Sequence, residues 1–519
     1  MKYKHSLLLF ILILLLGIAL RLYTFTQISS TDKFTWIGGD EATYYELASN
    51  IHEGRGPVID YVFQFWNRHD FGENEGLWEP FFPFTLAYFF YIFGHSLLAA
   101  KIVVLLISIA TLVLIYFIGK AVYNEISGLI AMFLLAIQPK HIEYSATLFK
   151  DNLYAFLFLL AFFLMILAFK KNKLYLWILL GIALALTFLT RYFAAVLILT
   201  FVVLLIIYRK RVNWKFVGFE TLVFIVVLLP WAIYTYNTHG MPFFSITRHY
   251  PYSASGWEGM SYQAEAPTLK GYLEENSAAD IIKTRLTLFP LTIYNLPIWM
   301  TPLVFLLFIL VFALKDSYAR AIKWYFFLLL AFYLIQFANV GQFNERAFLT
   351  LIYASLVPIG YIISKVPEMS RKFKLKVDRK IILSVLLVLI LISSLTLLQW
   401  KLNDIKSYKM QERQEALARL GAWVKANTTD TAVIMTILPP DVHYYTDRRT
   451  VMDPYNFAAS LGIYLDPPEN RNKNETIKYG VTHFLIHTSN KTAIEGYLAL
   501  SYRPVYADEE AELYLYKIR

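Results

Sequence analysis

The chain has 519 residues, of which 57% are hydrophobic, 17% aromatic and only 17% charged; soluble domains run about 45–50% apolar and roughly 25% charged. The net charge of +10 sits in short Lys/Arg clusters between long apolar runs, a pattern of membrane topology and not of nucleic-acid binding. There is no cysteine, which excludes disulfides and Cys-type zinc or iron–sulfur sites.

Lys2, Lys4 and the run from Leu7 to Leu20 have the look of a signal peptide. No small-x-small cleavage site follows, and Arg21 to Phe25 continue the segment, so a retained first span is expected. A helical crossing takes roughly 17–25 apolar residues. On that measure eleven spans are predicted, at 6–26, 96–119, 128–146, 150–169, 174–190, 193–208, 216–236, 288–314, 321–338, 346–364 and 379–400. Alternate loops collect the basic residues: Lys2/Lys4, Lys120, Lys170/Lys171/Lys173, Arg209 to Lys215, Lys315/Arg320/Lys323, and Lys365 with Arg371 to Lys380. The positive-inside rule makes these cytoplasmic and puts the N-terminus inside and the C-terminus outside. The apolar run Phe81–Phe93 has 13 residues, short for a crossing, and counting it would turn every later basic cluster outward. It is expected to lie along the outer interface as a helix introduced by Pro80 and Pro83.

The organisation predicted is a transmembrane domain over 1–400, with a long first outer loop at 27–95, followed by a small extracytoplasmic α/β domain over 401–519. In the latter, Gln411–Lys425 has helical periodicity. Ala432–Ile437, His483–His487 and Leu513–Ile518 read as strands, and Pro439-Pro440 and Pro467-Pro468 as loops. Asn427, Asn474 and Asn490 begin glycosylation sequons, patterns short enough to arise by chance.

Four places on the expected outer face carry chemistry. The first is Trp36-Ile-Gly-Gly-Asp40-Glu41-Ala-Thr-Tyr44-Tyr45-Glu46, where two glycines precede an acid pair at the start of a helix. The second is Asp151, after Lys150 at the start of a span. The third and fourth are Arg191, at a tight hairpin turn, and Arg346, which follows Glu345. Each has an ordinary structural explanation: an acid as helix N-cap, an arginine snorkelling to the interface. Together they suit a reaction of an anionic lipid, with a carboxylate taking a proton from an acceptor hydroxyl and arginines holding a phosphate.

These residues resemble the multi-spanning GT-C glycosyltransferases, and more narrowly the protein O-mannosyltransferase and lipid A aminoarabinose transferase superfamily. The resemblance rests on Gly39-Asp40-Glu41 through Ala48, on Trp78-Glu79-Pro80 through Gly94, on Pro139 to Lys150-Asp151, on Arg191, and on Glu345-Arg346 with the apolar run to Pro358. It is best over residues 6 to about 200 and looser beyond. It implies an inverting transferase of a hexose or pentose from a polyprenyl-phosphate sugar, of the dolichyl-phosphate-mannose type, to a lipid, protein or glycan acceptor at the outer face of the plasma membrane. Catalytic roles fall on Asp40, Glu41 and Asp151; substrate contacts fall on Arg191, Arg346, Glu345, Lys150 and Tyr44. A divalent metal, with Glu79 and a histidine such as His249 or His239 as ligands, is the one cofactor implied. The Lys that follows this acid in the aminoarabinose branch is absent here, where Pro80 follows directly. The tail has no Trp-Trp-Asp-Tyr-Gly motif, which argues against an oligosaccharyltransferase subunit. A lipid-linked sugar flippase or a non-catalytic envelope-glycan assembly protein are the rival readings; a flippase would place ionisable residues near mid-span.

Overall fold

The computed structural model describes residues 3–29, 32–35, 39–63, 69–74, 76–253, 265–336, 345–372, 379–408, 410–453, 478–487 and 504–517. Trp36 to Gly38, the stretch around Gly256 and Trp257, Gln342 to Asn344, part of the basic segment after Arg371, Pro467-Pro468 and the sequons at Asn474 and Asn490 lie outside the described residues.

The apolar runs fold as helices because a backbone in hydrocarbon must satisfy its own N–H and C=O groups. In chain order the helices are α1 (Tyr3–Ile28), α2 (Asp40–His52), α3 (Phe81–Phe93), α4 (Leu97–Val122), α5 (Glu125–Ala136), α6 (Pro139–Glu143), α7 (Asp151–Lys171), α8 (Leu174–Thr190) and α9 (Ala195–Tyr208). They continue with α10 (Trp214–His239), α11 (Leu269–Glu275), α12 (Ala278–Met300), α13 (Pro302–Val311), α14 (Ser317–Gln336), α15 (Leu349–Lys372), α16 (Arg379–Ser407), α17 (Met410–Asn427) and α18 (Pro439–Thr446). Seven described helices are long and apolar enough to cross a membrane: α1, α4, α7, α10, α14, α15 and the one beginning in α16. The α12–α13 pair passes the same test only when taken together, bent by 114°. The remaining expected spans correspond to the shorter apolar helices α5, α8 and α9. The protein is therefore a multi-pass membrane protein, with fewer full-length crossing helices among the described residues than the eleven expected.

A second expected span is also not a single helix. Segment 128–146 breaks after Ala136 into α6 and a 3-10 turn at Tyr144–Ala146. Pro139 cannot continue the preceding helix and starts the next at its first position, where Gln138 caps it by accepting from the His141 amide at 2.9 Å. The first apolar run is built into the bundle: buried Arg21 donates to Ser108 of α4 (2.7 Å), to the Ala136 carbonyl (3.3 Å) and to His141 Nδ1 (2.6 Å). Elsewhere small residues let helices touch backbone to backbone. A Cβ on Gly128 of α5 would lie 2.5 Å from the Tyr116 carbonyl and 2.9 Å from the Lys120 amide of α4. Leucines and isoleucines such as Leu12, Ile206, Leu222 and Ile225 stay exposed on the outward faces, where lipid would meet them. Helix α3 has the expected 13 residues and is buried on one side: Phe82, Leu86 and Phe90 are buried, while Tyr88, Tyr91 and Ile92 are exposed.

The six strands form one sheet: β1 (Tyr61–Val62), β2 (Val433–Thr436), β3 (Arg449–Met452), β4 (His483–His487), β5 (Pro504–Asp508) and β6 (Leu513–Lys517), in the order β1-β3-β2-β4-β6-β5. The pairs β1/β3, β3/β2 and β2/β4 are parallel, and β4/β6 and β6/β5 antiparallel. Strand alternation divides the apolar residues between two faces. Ile434, Leu485 and Leu515 pack under Leu417, Leu420 and Val424 of α17. Val433, Met435 and Val451 pack instead against Leu47, Ile59 and Leu77. The second face is covered by residues of the first loop, and that loop also supplies the edge strand, Tyr61 pairing with Thr450.

Gly128→Val is expected to force α4 and α5 apart and cost about 1–3 kcal/mol, as overpacking does. Gly218→Ala, where an added Cβ meets nothing within 4 Å, should leave the thermal midpoint in detergent unchanged.

Candidate active site

The site forms where the ends of four elements converge. Asp40 is the first residue of α2, and Asp151 the first of α7. Arg191 ends α8, and Arg346 lies in a 3-10 turn (Glu345–Ala347) just before α15. The sequence sets these ends locally. Gly39 adopts φ 105°, a conformation open to glycine, and its carbonyl accepts the first helical bond of α2 from Thr43 at 2.8 Å. The far end of α7 carries Lys170 and Lys171, and Asn172 closes it with a left-handed φ of 46°. At 1.5 Å per residue this basic cluster lies about 30 Å from Asp151.

Neither acid is a helix cap; neither cap position makes a side-chain capping bond. Both acids bind arginine. Arg346 donates from NH1 to Asp40 Oδ2 (2.8 Å) and from Nε and NH2 to Asp151 Oδ2 (3.0 and 2.7 Å). Arg191 NH1 donates to Asp151 Oδ1 at 2.7 Å. Asp151 is thus shared by two guanidinium groups, and its side chain is 2% exposed, against 36% for Asp40. The Arg346 guanidinium lies over the Phe149 ring at 4.8 Å, and Arg191 over Tyr154 at 5.8 Å. The arginines are therefore pinned between aromatic faces and carboxylates, not extended toward the interface. Asp40 Oδ1 and the remaining Arg191 donors bond no described residue.

Tyr44, one helical turn after Asp40, is fully buried against Trp78 (4.8 Å) and Phe82 (5.0 Å). Its hydroxyl has no hydrogen-bond partner among the described residues. Burial, and then the charge of Asp40, keep the phenol protonated far above its ordinary range, so it stands as a donor.

The other expected site residues have different work. Glu41 accepts the Thr35 and Leu148 backbone amides, each at 2.5 Å, and is 1% exposed. It ties the first loop to the turn before Asp151 through these amides. Lys150 is ion-paired with Glu79, and its ammonium lies 5.9 Å from both the Tyr44 and Trp78 rings. Glu345 pairs with Lys140 at 2.7 Å, and Lys140 also with Glu143 at 3.1 Å. Burial raises the Glu345 carboxyl, but Lys140 outweighs it and holds the group below its usual range. Lys150 and Glu345 thus meet charged protein partners where substrate contacts were expected.

The residues expected to hold a metal are engaged with protein partners. Glu79 gives one oxygen to Lys150 and the other to the Tyr192 amide at 3.1 Å. His249 bonds the Pro267 carbonyl through Nδ1 (3.0 Å) and accepts from Arg248 through Nε2 (3.0 Å), while His239 bonds Asn74 (3.2 Å). Among the described residues no group of three or more His, Cys, Asp or Glu side chains is placed to hold an ion.

The fold that brings two acids and two arginines together at one end of an apolar bundle has known counterparts. Over 99% of this chain and 98% of the other, the structure matches ArnT from Cupriavidus metallidurans bound to undecaprenyl phosphate, with TM-score 0.65 and 13% identity. The fold is that of the GT-C membrane glycosyltransferases. The GT-C fold also aligns with the oligosaccharyltransferase AglB from Archaeoglobus fulgidus in complex with an inhibitory peptide and a dolichol-phosphate, at TM-score 0.59 and 13% identity, covering 99% of this chain and 74% of that one. An oligosaccharyltransferase of Archaeoglobus fulgidus in complex with Zn and sulfate aligns at TM-score 0.57 and 14% identity, over 92% of this chain and 67% of that one. Residues 79–234, which include Asp151 and Arg191, match the family model described as dolichyl-phosphate-mannose-protein mannosyltransferase. No curated protein matches the sequence.

Sequence reasoning singled out all four members of the cluster but not their supports. Phe149 beneath Arg346 and Lys140 holding Glu345 both lie in the polar stretch leading to Asp151. The pairing of Lys140 with a residue beyond 340 has no signal in the local sequence.

Asp151→Ala leaves two arginines without their shared carboxylate and is expected to cost about 3–5 kcal/mol of stability. Asp40→Asn, at a half-exposed position, should cost no more than about 1 kcal/mol. Thermal unfolding of the purified variants, followed by tryptophan fluorescence, measures both.

Proposed function

We propose that the protein is an inverting glycosyltransferase. It moves one sugar from a polyprenyl-phosphate donor to the hydroxyl of a lipid, protein or glycan acceptor. The observation that carries this reading is the asymmetry of the two acids: Asp151 is saturated by Arg191 and Arg346, while Asp40 keeps one oxygen open beside them. Asp40 acts as the general base and takes the acceptor proton. The acceptor oxygen attacks the anomeric carbon from the face opposite the phosphate. The bond from that carbon to the phosphate oxygen breaks with its electron pair, so the phosphate gains a negative charge as it leaves. Arg191, held by Asp151, and the Tyr44 hydroxyl are the donors that meet this charge. The undecaprenyl phosphate of the ArnT structure and the dolichol-phosphate of the AglB structure support a polyprenyl-phosphate ligand.

We place the reaction at the extracytoplasmic face of the cell membrane. The support is the charge distribution: the acid–arginine cluster and Lys170/Lys171 occupy opposite ends of α7, and basic clusters favour the cytoplasm. The eleven apolar segments then cross with the N-terminus inside, residues 1–400 forming the membrane domain and 401–519 the outer one. No step in this scheme needs a metal.

Radiolabelled polyprenyl-phosphate mannose, glucose and arabinose, offered with a cell-envelope extract to the purified protein, test the proposal. Asp40→Asn is expected to lower transfer about 10²–10⁴-fold, the usual weight of a general base. Arg191→Ala should lower kcat about 10²–10³-fold, as loss of a charge-stabilising donor does. Equal transfer by wild type and Asp40→Asn removes Asp40 from the mechanism. No transfer with any donor favours the flippase or the assembly reading.

A further inference from the structure

We infer that Glu46 and His443 are positioning residues for the transfer reaction: helix α18 of the C-terminal region sets the direction of α2, and so of Asp40. The inference rests on the reading of Asp40 as the base. Helix α2 is short, and its first residue is the one whose placement matters, so whatever grips α2 sets the open carboxylate oxygen.

The grip has three parts. Beside Asp40, a Cβ on Gly39 would lie 3.1 Å from the Phe63 ring and 3.3 Å from Pro440 Cγ, so the start of α18 abuts the residue before the base. Further along, Glu46 Oε1 lies 3.3 Å from His443 Nε2, and both side chains are largely buried. The second ring nitrogen of His443 donates to the Arg448 carbonyl at 2.8 Å, which fixes the imidazole between α18 and β3. Between these points Tyr61 of β1 donates to Thr43 of α2 at 2.6 Å while pairing with Thr450 of β3. The loop before α2 is held as well: Gln414 donates to the Phe34 carbonyl at 2.5 Å, and Tyr444 meets the Phe34 ring at 4.6 Å and the Tyr45 ring at 5.6 Å.

Apolar packing holds two surfaces together as strongly as a buried ion pair but with less register. An ion pair six residues from Asp40, about 9 Å along the helix, fixes both the rotation and the axial position of α2. It also makes the grip sensitive to pH. The groups facing His443 are Glu46 of α2, Asp60 and Tyr61 of the following segment, and the Arg448 carbonyl; Asn50 donates to Glu46, and Arg55 donates to Asn50 and pairs with Asp60. Burial lowers the imidazole, but Glu46 outweighs it and lifts His443 from 6.5 to about 8. Burial raises Glu46, but His443 outweighs it and holds the carboxyl below 4.5. A raised histidine stabilises the docked form fully below 6.5, and this is lost as pH climbs through about 8. A depressed carboxyl stabilises above 4.5, and this is lost as pH falls through its lower folded value. The grip is therefore strongest between these limits and loosens on the alkaline side.

The test uses the full-length protein in lipid nanodiscs, with kcat and donor KM measured from pH 6 to 9. Deuterium exchange of the 40–52 segment is compared between variants at one pH. Wild type is expected to lose about tenfold in kcat through pH 8 with little change in KM, the scale of a small misplacement of a reacting group. His443→Ala should show the low kcat at every pH, no alkaline fall of its own, and faster exchange in 40–52. Glu46→Gln still donates an amide N–H to the neutral imidazole; it should keep more activity than His443→Ala, keep slow exchange, and lose the alkaline fall. Wild-type kcat and exchange in His443→Ala, or an unchanged alkaline fall in Glu46→Gln, overturns the inference. Should His443→Ala not fold, Glu46→Gln alone decides it. Absence of transfer by wild type with any donor defeats the proposed activity instead, and the exchange comparison still decides whether α18 holds α2.

Discussion

A buried carboxylate shared by two arginines is the constraint on which this end of the bundle depends. Asp151 opens α7 buried in the protein, where an unpaired charge is costly, and its two oxygens are satisfied by Arg191 and Arg346. Meeting that demand brings the last turn of α8 and the turn before α15 to the first turn of α7. Arg346 then reaches on to Asp40 and brings α2 with it. One electrostatic requirement thus sets the relative positions of four segments distant in sequence. It leaves Asp40 as the more exposed carboxylate of the two.

The neighbouring acids show how environment and not residue type assigns a role. Glu41 follows Asp40 directly, yet a rotation of one residue along the helix turns it toward backbone amides, which occupy both its oxygens. Glu79 neutralises Lys150 and caps the turn after Arg191 through the Tyr192 amide. Glu345 sits beside Arg346 and is turned toward Lys140. Each of the three fixes a loop that bears on the cluster without entering it.

Much of this was legible in the sequence, and for identifiable reasons. Long apolar runs, basic clusters and the short apolar run at Phe81–Phe93 are local signals, and they marked most of the helices. The strands at Val433, His483 and Leu513 were visible from their β-branched and aromatic content. The four charged positions stood out because charge near membrane depth is costly. What escaped was non-local. The break at Gln138-Pro139 depends on tertiary packing to be tolerated, so an apolar count ran through it. The two-residue strand Tyr61–Val62 is too short to announce itself and exists only because β3 offers it an edge. Glu41 and Asp40 are indistinguishable as letters; which one faces the arginines depends on where the Leu148 amide lies.

The edge strand has a consequence for biogenesis. Tyr61 pairs in register with Thr450, so a segment that leaves the ribosome among the first finds its partner only when most of the chain has been made. Until then Ile59, Tyr61 and Leu77 lack the later residues that cover them in the folded chain. Loop closure over such a span is slow, and exposed apolar edges invite wrong partners. Because α2 is gripped by the same late-arriving region, Asp40 can be brought into its final position only after translation is nearly finished. Chains truncated before β3 would leave the earlier helices in place and the end that bears Asp40 unassembled, so that the acid–arginine cluster is completed only when the chain is almost finished.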